Sequence, residues 1–126
     1  MSQIHVNETS AAALPPLLNA HRCLDLIFLD DGHKFDSVLL ELYYAQRLLK
    51  IGGLLVFHDV YMPSVRAAIS FVETNLNFVR MQLPKRKGNQ RTALTVFVKN
   101  GTDHRDWEHF SPFNATSTSF DADTSD

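Results

Sequence analysis

Two short apolar runs, each followed directly by acidic residues, constrain the fold of this chain more than any other feature. The first run covers residues 24–29 and stops at Asp30, and the second covers residues 54–57 and stops at His58 and Asp59. Runs of this length that end at turn residues are typical of buried strands. Because a stretch with helical periodicity separates them, the pattern predicts a strand-helix-strand unit and an α/β fold.

The stretch between the two runs has the spacing of one helix face. Its apolar positions are Val38, Leu42, Ala45 and Leu49. Asp36 is placed to cap the start of this helix, and Gly52 with Gly53 is placed to close its end. We therefore expect a crossover helix that connects two parallel neighbouring strands.

The following part of the chain continues the alternation. Pro63 suits the first turn of a helix, and the apolar stripe of that helix is Val65, Ala68, Ile69, Val72 and Leu76. Residues 78–83 and 93–98 are strand candidates joined by a polar connector of hairpin character, residues 84–91. This arrangement predicts an antiparallel pair at the end of the sheet.

The two ends of the chain are less regular. Residues 3–6 can form a short strand, and residues 10–20 can form a helix despite Pro15 and Pro16. After Gly101 the chain is rich in Ser, Thr and Asp. We expect a partial domain at residues 1–101 and a mobile acidic Ser/Thr-rich tail at residues 102–126.

Composition excludes several classes of protein. A formal net charge of −2 is too balanced for a general polyanion binder, so we expect no nucleic-acid partner. The single cysteine, Cys23, excludes an internal disulfide framework and favours a reducing compartment, with cytoplasm as the expected location. No segment approaches the roughly 20 apolar residues that span a bilayer, so no membrane association is expected.

Five candidate site residues fall at the ends of the two predicted strands: Asp30, Asp31, His33, His58 and Asp59. In open α/β sheets, ligands bind at the carboxyl ends of the strands. Two carboxylates on neighbouring turns, of which Asp30 and Asp59 are the favoured pair, can hold a divalent cation. His58 can be a third ligand or an acid/base group, and as a ligand its imidazole would favour manganese, iron or zinc over magnesium. His33 is placed to act as a general base.

Simpler interpretations remain open for these residues. Aspartates routinely cap helices or end strands, and we favour this interpretation for Asp31 and Asp36. A loop histidine such as His33 is often only solvated. The basic residues of the connector at residues 84–91 are best explained as a solvated hairpin tip.

The sequences of residues 24–33 and 48–59 resemble segments of a known protein family. It is similar to the D-x-I-F-I-D-G-x-H and L-x-P-G-G-x-x-x-F-H-D segments of class I methyltransferases that include macrocin-type O-methyltransferases and cephalosporin-hydroxylase-like proteins. The likeness extends over residues 10–100. Ile51 stands where proline is usual, and Asp31 stands where glycine is common.

This resemblance implies a fold and a chemistry. The fold would be part of a Rossmann-like sheet, with strands in the order 4-5-7-6 and the last strand antiparallel. The activity would be O-methyl transfer from S-adenosylmethionine to a hydroxyl group of a small-molecule substrate. Asp30, His58 and Asp59 would hold magnesium or another divalent cation, Asp30, Asp31 and His33 would contact the cofactor, and His33 or His58 would handle the proton.

Parts of that family's cofactor pocket are not found in the sequence. No G-x-G turn between a strand and a helix precedes the site, and no acidic residue ends an earlier strand to bind the ribose hydroxyls. We therefore expect a fragment, a truncated product or one part of a two-chain enzyme. Its strand at residues 24–29 would form an open sheet edge that recruits a partner chain or a second copy.

Two other functions are compatible with this sequence. The first is a noncatalytic remnant or partner-binding subunit of a methyltransferase. The second is a metal-dependent hydrolase that uses the same carboxylates, but the sequence carries no nucleophile signature for it.

Overall fold

The computed structural model describes residues 10–29, 34–84 and 94–114 of the chain. It confirms the α/β class, with helices and strands alternating along the sequence. The elements are α1 (Ser10–Asn19), β1 (Leu24–Leu29), α2 (Phe35–Leu48), β2 (Leu49–His58), α3 (Pro63–Asn75), β3 (Phe78–Arg80) and β4 (Leu94–Lys99). The predicted strand at residues 3–6 lies outside the described residues.

The four strands form one mixed sheet in the order β1-β2-β4-β3. β1 and β2 are parallel, as a helical crossover requires, whereas β4 runs antiparallel to both β2 and β3. This arrangement confirms the predicted 4-5-7-6 order and the antiparallel last pair. β3 has three residues and is shorter than predicted, and the connector at residues 85–93 lies outside the described residues.

The predicted end of α2 at Gly52 and Gly53 is wrong. α2 ends at Leu48, and both glycines lie inside β2. Leu49 pairs with Leu24 and Leu54 pairs with Leu26, so the residues between them bulge out of the strand pairing. Gly52 has a φ of 90°, and a Cβ on Gly53 would lie 2.8 Å from the carbonyl oxygen of Lys50. The glycines are therefore needed for the bulge.

A side chain from another strand donates hydrogen bonds to the backbone carbonyls at the end of α2. The Lys99 ammonium donates to the backbone carbonyls of Gln46 and Leu49, the latter at 2.7 Å. The last carbonyls of a helix have no partner within the helix. Partial burial lowers the pKa of Lys99. A contact from β4 thus replaces the glycine cap that the local sequence predicts.

The start of α2 also differs from its predicted form. Lys34 occupies the N-cap position and makes no side-chain capping bond, and Asp36 lies within the first turn. The Asp36 carboxylate accepts a hydrogen bond from the Ser37 backbone at 2.9 Å. Asp36 therefore does not cap the helix, although its negative charge is favourable near the positive end of the helix dipole.

α2 and α3 pack together on one face of the sheet. Their apolar stripes and the strand residues facing them form a single core: Val38, Leu42, Ala45, Leu49, Leu55, Phe57, Val60, Val65, Ala68, Ile69, Val72, Leu76, Phe78 and Phe97. α1 packs against α2. Because strand residues alternate between faces, Leu54 and Val56 point to the other face, together with Leu26 and Phe28 of β1.

Residues 102–114 form no helix or strand, yet they contact the domain. The Asn75 amide donates to the Ser111 carbonyl at 2.9 Å and accepts from the Ser111 backbone N–H at 2.8 Å. Phe113 packs against Phe71 and Phe35, with ring centroids 5.5 and 6.5 Å away. We call residues 102–114 the strap. The division of the chain at residue 101 and the mobility of the tail stay predictions; the strap contacts the helices, and residues 115–126 lie outside the described residues.

Candidate active site

The carboxyl ends of β1 and β2 lie side by side. Leu29, the last residue of β1, pairs with Phe57, the residue before His58. β1 and β2 therefore end side by side, as the sequence predicts, and ligands of open α/β sheets bind at such carboxyl-terminal ends. Asp30, Asp31 and His33 themselves lie outside the described residues, so their proposed roles stay predictions.

His58 and Asp59 form a close polar pair at the end of β2. The Nδ1 atom of His58 lies 3.1 Å from the Oδ1 atom of Asp59. Both side chains are partly accessible to solvent. An imidazole and a carboxylate at this distance can supply one nitrogen and one oxygen ligand to the same cation.

The backbone at Asp59 is unusual. Its φ of 55° lies in the left-handed region, which residues other than glycine rarely adopt, although Asp and Asn do so more readily than most. The carbonyl of Asp59 accepts a hydrogen bond from the Met62 backbone N–H at 3.1 Å, which closes a tight turn. Non-glycine residues in this conformation cluster at functional sites, so the geometry supports a role for Asp59.

The turn after Asp59 leads directly into α3. Val60 is buried in the core and anchors the turn, whereas Tyr61 is 64% exposed beside it. Pro63 occupies the start of α3 as predicted, and Met62 is its N-cap without a side-chain capping bond. The N-terminus of α3, which is the positive end of its helix dipole, therefore lies on the same side of the molecule as His58 and Asp59, at the end of β2.

His58 shares a face with the exposed side of β1. Its ring lies 6.1 Å from that of Phe28, with the planes tilted by 32°. Phe28 and Val56 are directly paired, and His58 follows Val56 by two positions on the same face. The imidazole therefore has an apolar wall on the β1 side.

Of the three predicted cation ligands, His58 and Asp59 belong to the described residues and Asp30 does not. No group of three His, Cys, Asp or Glu side chains converges in the part of the chain that the structure describes. His58 and Asp59 are brought together there, and Asp30 lies outside it. A cation site made of Asp30, His58 and Asp59 therefore stays a prediction.

Two features of the site region were missed in the sequence. Tyr61 is exposed in the turn after Asp59. The sequence indicates its place in the site region only through its position after the His58-Asp59 pair. The strap packs Phe113 on Phe35 at the start of α2, immediately after the first acidic turn. The aromatic residues of the Ser/Thr-rich tail, Phe110 and Phe113, were the signal for that contact. Cys23 is exposed.

Comparison with known proteins identifies one similarity. A family model described as a methyltransferase domain matches residues 2–60, so this part of the chain is similar to a methyltransferase domain. The matched residues contain both acidic turns and the helix between them. No curated protein matches the sequence. Within residues 10–29, 34–84 and 94–114, no helix has the length and apolar character needed to cross a membrane.

Proposed function

We propose that the chain is part of an S-adenosylmethionine-dependent methyltransferase that methylates a hydroxyl group of a small molecule. The chain would supply the acidic residues that follow the carboxyl-terminal ends of β1 and β2. One observation carries this proposal: the methyltransferase-domain match includes the ends of β1 and β2, which the structure pairs side by side. S-adenosylmethionine is the usual methyl donor of such domains. The likeness to macrocin-type O-methyltransferases supports oxygen as the acceptor atom.

The donor set is suited to a divalent cation. His58 and Asp59 supply a nitrogen and an oxygen 3.1 Å apart, and Asp30 would add a second carboxylate from the neighbouring strand. With an imidazole among the ligands, manganese, iron or zinc would be preferred over magnesium. A bound cation would supply positive charge that lowers the pKa of the substrate hydroxyl.

The chain's own residues would position the substrate and remove its proton. S-adenosylmethionine supplies an electrophilic methyl group on its sulfonium sulfur. With His58 as a cation ligand, His33 would accept the hydroxyl proton; if His58 is instead the base, the accepting atom would be Nε2, because Nδ1 lies against Asp59. Asp30, Asp31 and His33 would contact the cofactor. The apolar wall formed by Phe28 would exclude water from one side of His58.

Isothermal titration calorimetry with S-adenosylmethionine and S-adenosylhomocysteine, with and without Mn²⁺, tests this proposal. We expect wild-type protein to bind both nucleosides, and Asp30→Ala to weaken binding at least about tenfold, as loss of a ligand or its support does in metal sites. The matched control is Asp36→Ala, which removes an exposed carboxylate in the first turn of α2 and should leave binding unchanged.

Two results would contradict the proposal. One is the absence of binding heat from folded wild-type protein, with or without Mn²⁺. The other is an equal loss of affinity in Asp30→Ala and Asp36→Ala, which would indicate a general effect of charge rather than a site.

A noncatalytic, partner-binding role is the second candidate. The exposed Leu26 and Phe28 side chains on the edge strand β1 favour it, because monomeric proteins usually protect such edges. Folded protein that binds neither nucleoside but associates through β1 would support this role over catalysis.

A further inference from the structure

Hydrogen bonds anchor the strap to α3 on both sides of Phe113. Before Phe113, the Asn75 amide bonds both the carbonyl and the N–H of Ser111, at 2.9 and 2.8 Å. After it, the Asn114 backbone N–H donates to the Ser70 hydroxyl at 3.2 Å. Asn75 and Ser70 are both buried, and losing a partner is costly for a buried polar group. The strap is therefore held on α3 at the position of Phe113.

Phe113 reaches both helices. Its ring centroid lies 5.5 Å from that of Phe71 in α3 and 6.5 Å from that of Phe35, the first residue of α2. Both distances fall within the range of attractive aromatic pairs. Phe35 and Phe71 in turn pack against the hydrophobic core. Phe113 therefore links α3 to the first turn of α2.

The N-cap residue of α2 does not stabilise this first turn. Lys34 makes no side-chain capping bond, although residues that make one stabilise the start of a helix. The Val38 backbone N–H closes the turn by donating to the Lys34 carbonyl at 3.0 Å. Because helix ends open locally more often than helix centres, the packing of Phe35 should decide how often this bond breaks.

We propose that the strap, anchored on α3 by Asn75, positions the first turn of α2 through the contact between Phe113 and Phe35. α2 is the helix that follows β1, so the strap sets where the chain enters this helix after the strand. Release of the strap is then transmitted to the start of α2. This coupling needs no bound ligand and is therefore independent of the proposed methyl transfer.

The first turn of α3 provides an internal reference. Its N-cap residue, Met62, also makes no side-chain capping bond, and the Arg66 backbone N–H closes the turn at 2.9 Å from the Met62 carbonyl. The α3 residues that hold the strap, Ser70, Phe71 and Asn75, lie beyond this turn. A general loss of stability would open both turns, whereas release of the strap would open only that of α2.

Hydrogen exchange of single backbone amides, followed by NMR, tests the proposal. Phe113→Ala should raise the exchange rate of the Val38 amide about tenfold, because an aromatic contact changes a local opening equilibrium by about that factor. The Arg66 amide should keep its wild-type rate. Phe113→Leu, which retains an apolar side chain, should restore most of the protection of Val38. The matched control is Trp107→Ala, which removes a 93% exposed ring from the same strap and should change neither rate.

Asn75→Ala tests the anchor itself. Asn75 is the last residue of α3, and its substitution removes the hydrogen bonds to Ser111 without altering Phe113 or Phe35. The exchange rate of Val38 should rise in this variant as well, while that of Arg66 stays at its wild-type value.

Three results would overturn the proposal. The first is wild-type exchange at Val38 in folded Phe113→Ala protein. The second is an equal acceleration at Val38 and Arg66, which would indicate general destabilisation. The third is wild-type exchange at Val38 in Asn75→Ala, which would show that the anchor on α3 does not act on α2.

Discussion

At the scale of single residues, Asp59 combines a chemical group with a constrained backbone. Its carboxylate contacts His58, and its φ of 55° orients the turn that begins α3. Asparagine can adopt the same backbone conformation but carries no charge, whereas alanine pays the usual steric cost of the left-handed region. The two substitutions therefore separate the contribution of the charge from that of the backbone.

We expect Asp59→Asn to keep the wild-type free energy of unfolding within about 0.5 kcal/mol. Asp59→Ala should lose about 1 kcal/mol, because alanine disfavours the left-handed conformation. Urea unfolding followed by circular dichroism measures both values. Equal stability of the two variants would show that the backbone at residue 59 is not strained.

The sequence predicts the members of the site better than their arrangement. The strand pattern placed His58 and Asp59 at the end of β2, where the structure has them. The left-handed backbone of Asp59 and the contact between its carboxylate and His58 could not be predicted, because they depend on the turn that Val60 anchors in the core. The ring of Phe28 beside His58 depends on strand register, which is likewise a tertiary property.

At the scale of elements, the strap is attached mainly through α3. Asn75 is buried and uses both its amide nitrogen and its oxygen to bond the Ser111 backbone. Phe113 then bridges Phe71 of α3 and Phe35 of α2. The strap therefore joins the two helices near the start of α2.

We expect Asn75→Ala to release the strap, because it leaves the Ser111 backbone without its partners. The free energy of unfolding should fall by about 1–3 kcal/mol, the cost of losing partners for buried polar groups. Trp107 is the only tryptophan and lies in the strap, so its fluorescence anisotropy should fall as well. Asn100→Ala, at an exposed position, is the control and should change neither value. Unchanged anisotropy in a folded Asn75→Ala protein would show that the phenylalanine contacts alone hold the strap.

The elements show where local patterns suffice. The apolar periodicity predicted α3 and its start at Pro63 because the first turn of a helix tolerates proline and the stripe faces the core. The same reasoning failed at the end of α2. There the Lys99 side chain from β4 satisfies the last carbonyls, and the two glycines serve a bulge in β2.

At the scale of the whole molecule, the main hydrophobic cluster lies on one side of the sheet. Adjacent residues of β2 show the asymmetry: Leu55 is fully buried against the helices, and Leu54 is half-buried on the other face. The two faces of the sheet are therefore packed to different degrees at these two positions.

We expect Leu55→Ala to lower the free energy of unfolding by about 3 kcal/mol, because it removes buried methyl groups and leaves a cavity. Leu54→Ala should cost about 1 kcal/mol, because part of its side chain already contacts solvent. Urea unfolding at one protein concentration compares the two directly. Equal losses would show that both faces of the sheet are packed to the same density.

The sequence by itself determined the kinds of elements, their order and the position of His58 and Asp59 at the end of β2. These follow from the period of the apolar residues and from the rule that a strand-helix-strand unit returns to the same edge. Tertiary structure decided the end of α2, the bulge in β2, the left-handed turn at Asp59 and the attachment of the strap. The end of α2, the bulge in β2 and the attachment of the strap depend on contacts between residues far apart in the chain, as between Lys99 and Gln46, between Leu24 and Leu49, or between Asn75 and Ser111, and local periodicity carries no information about such contacts.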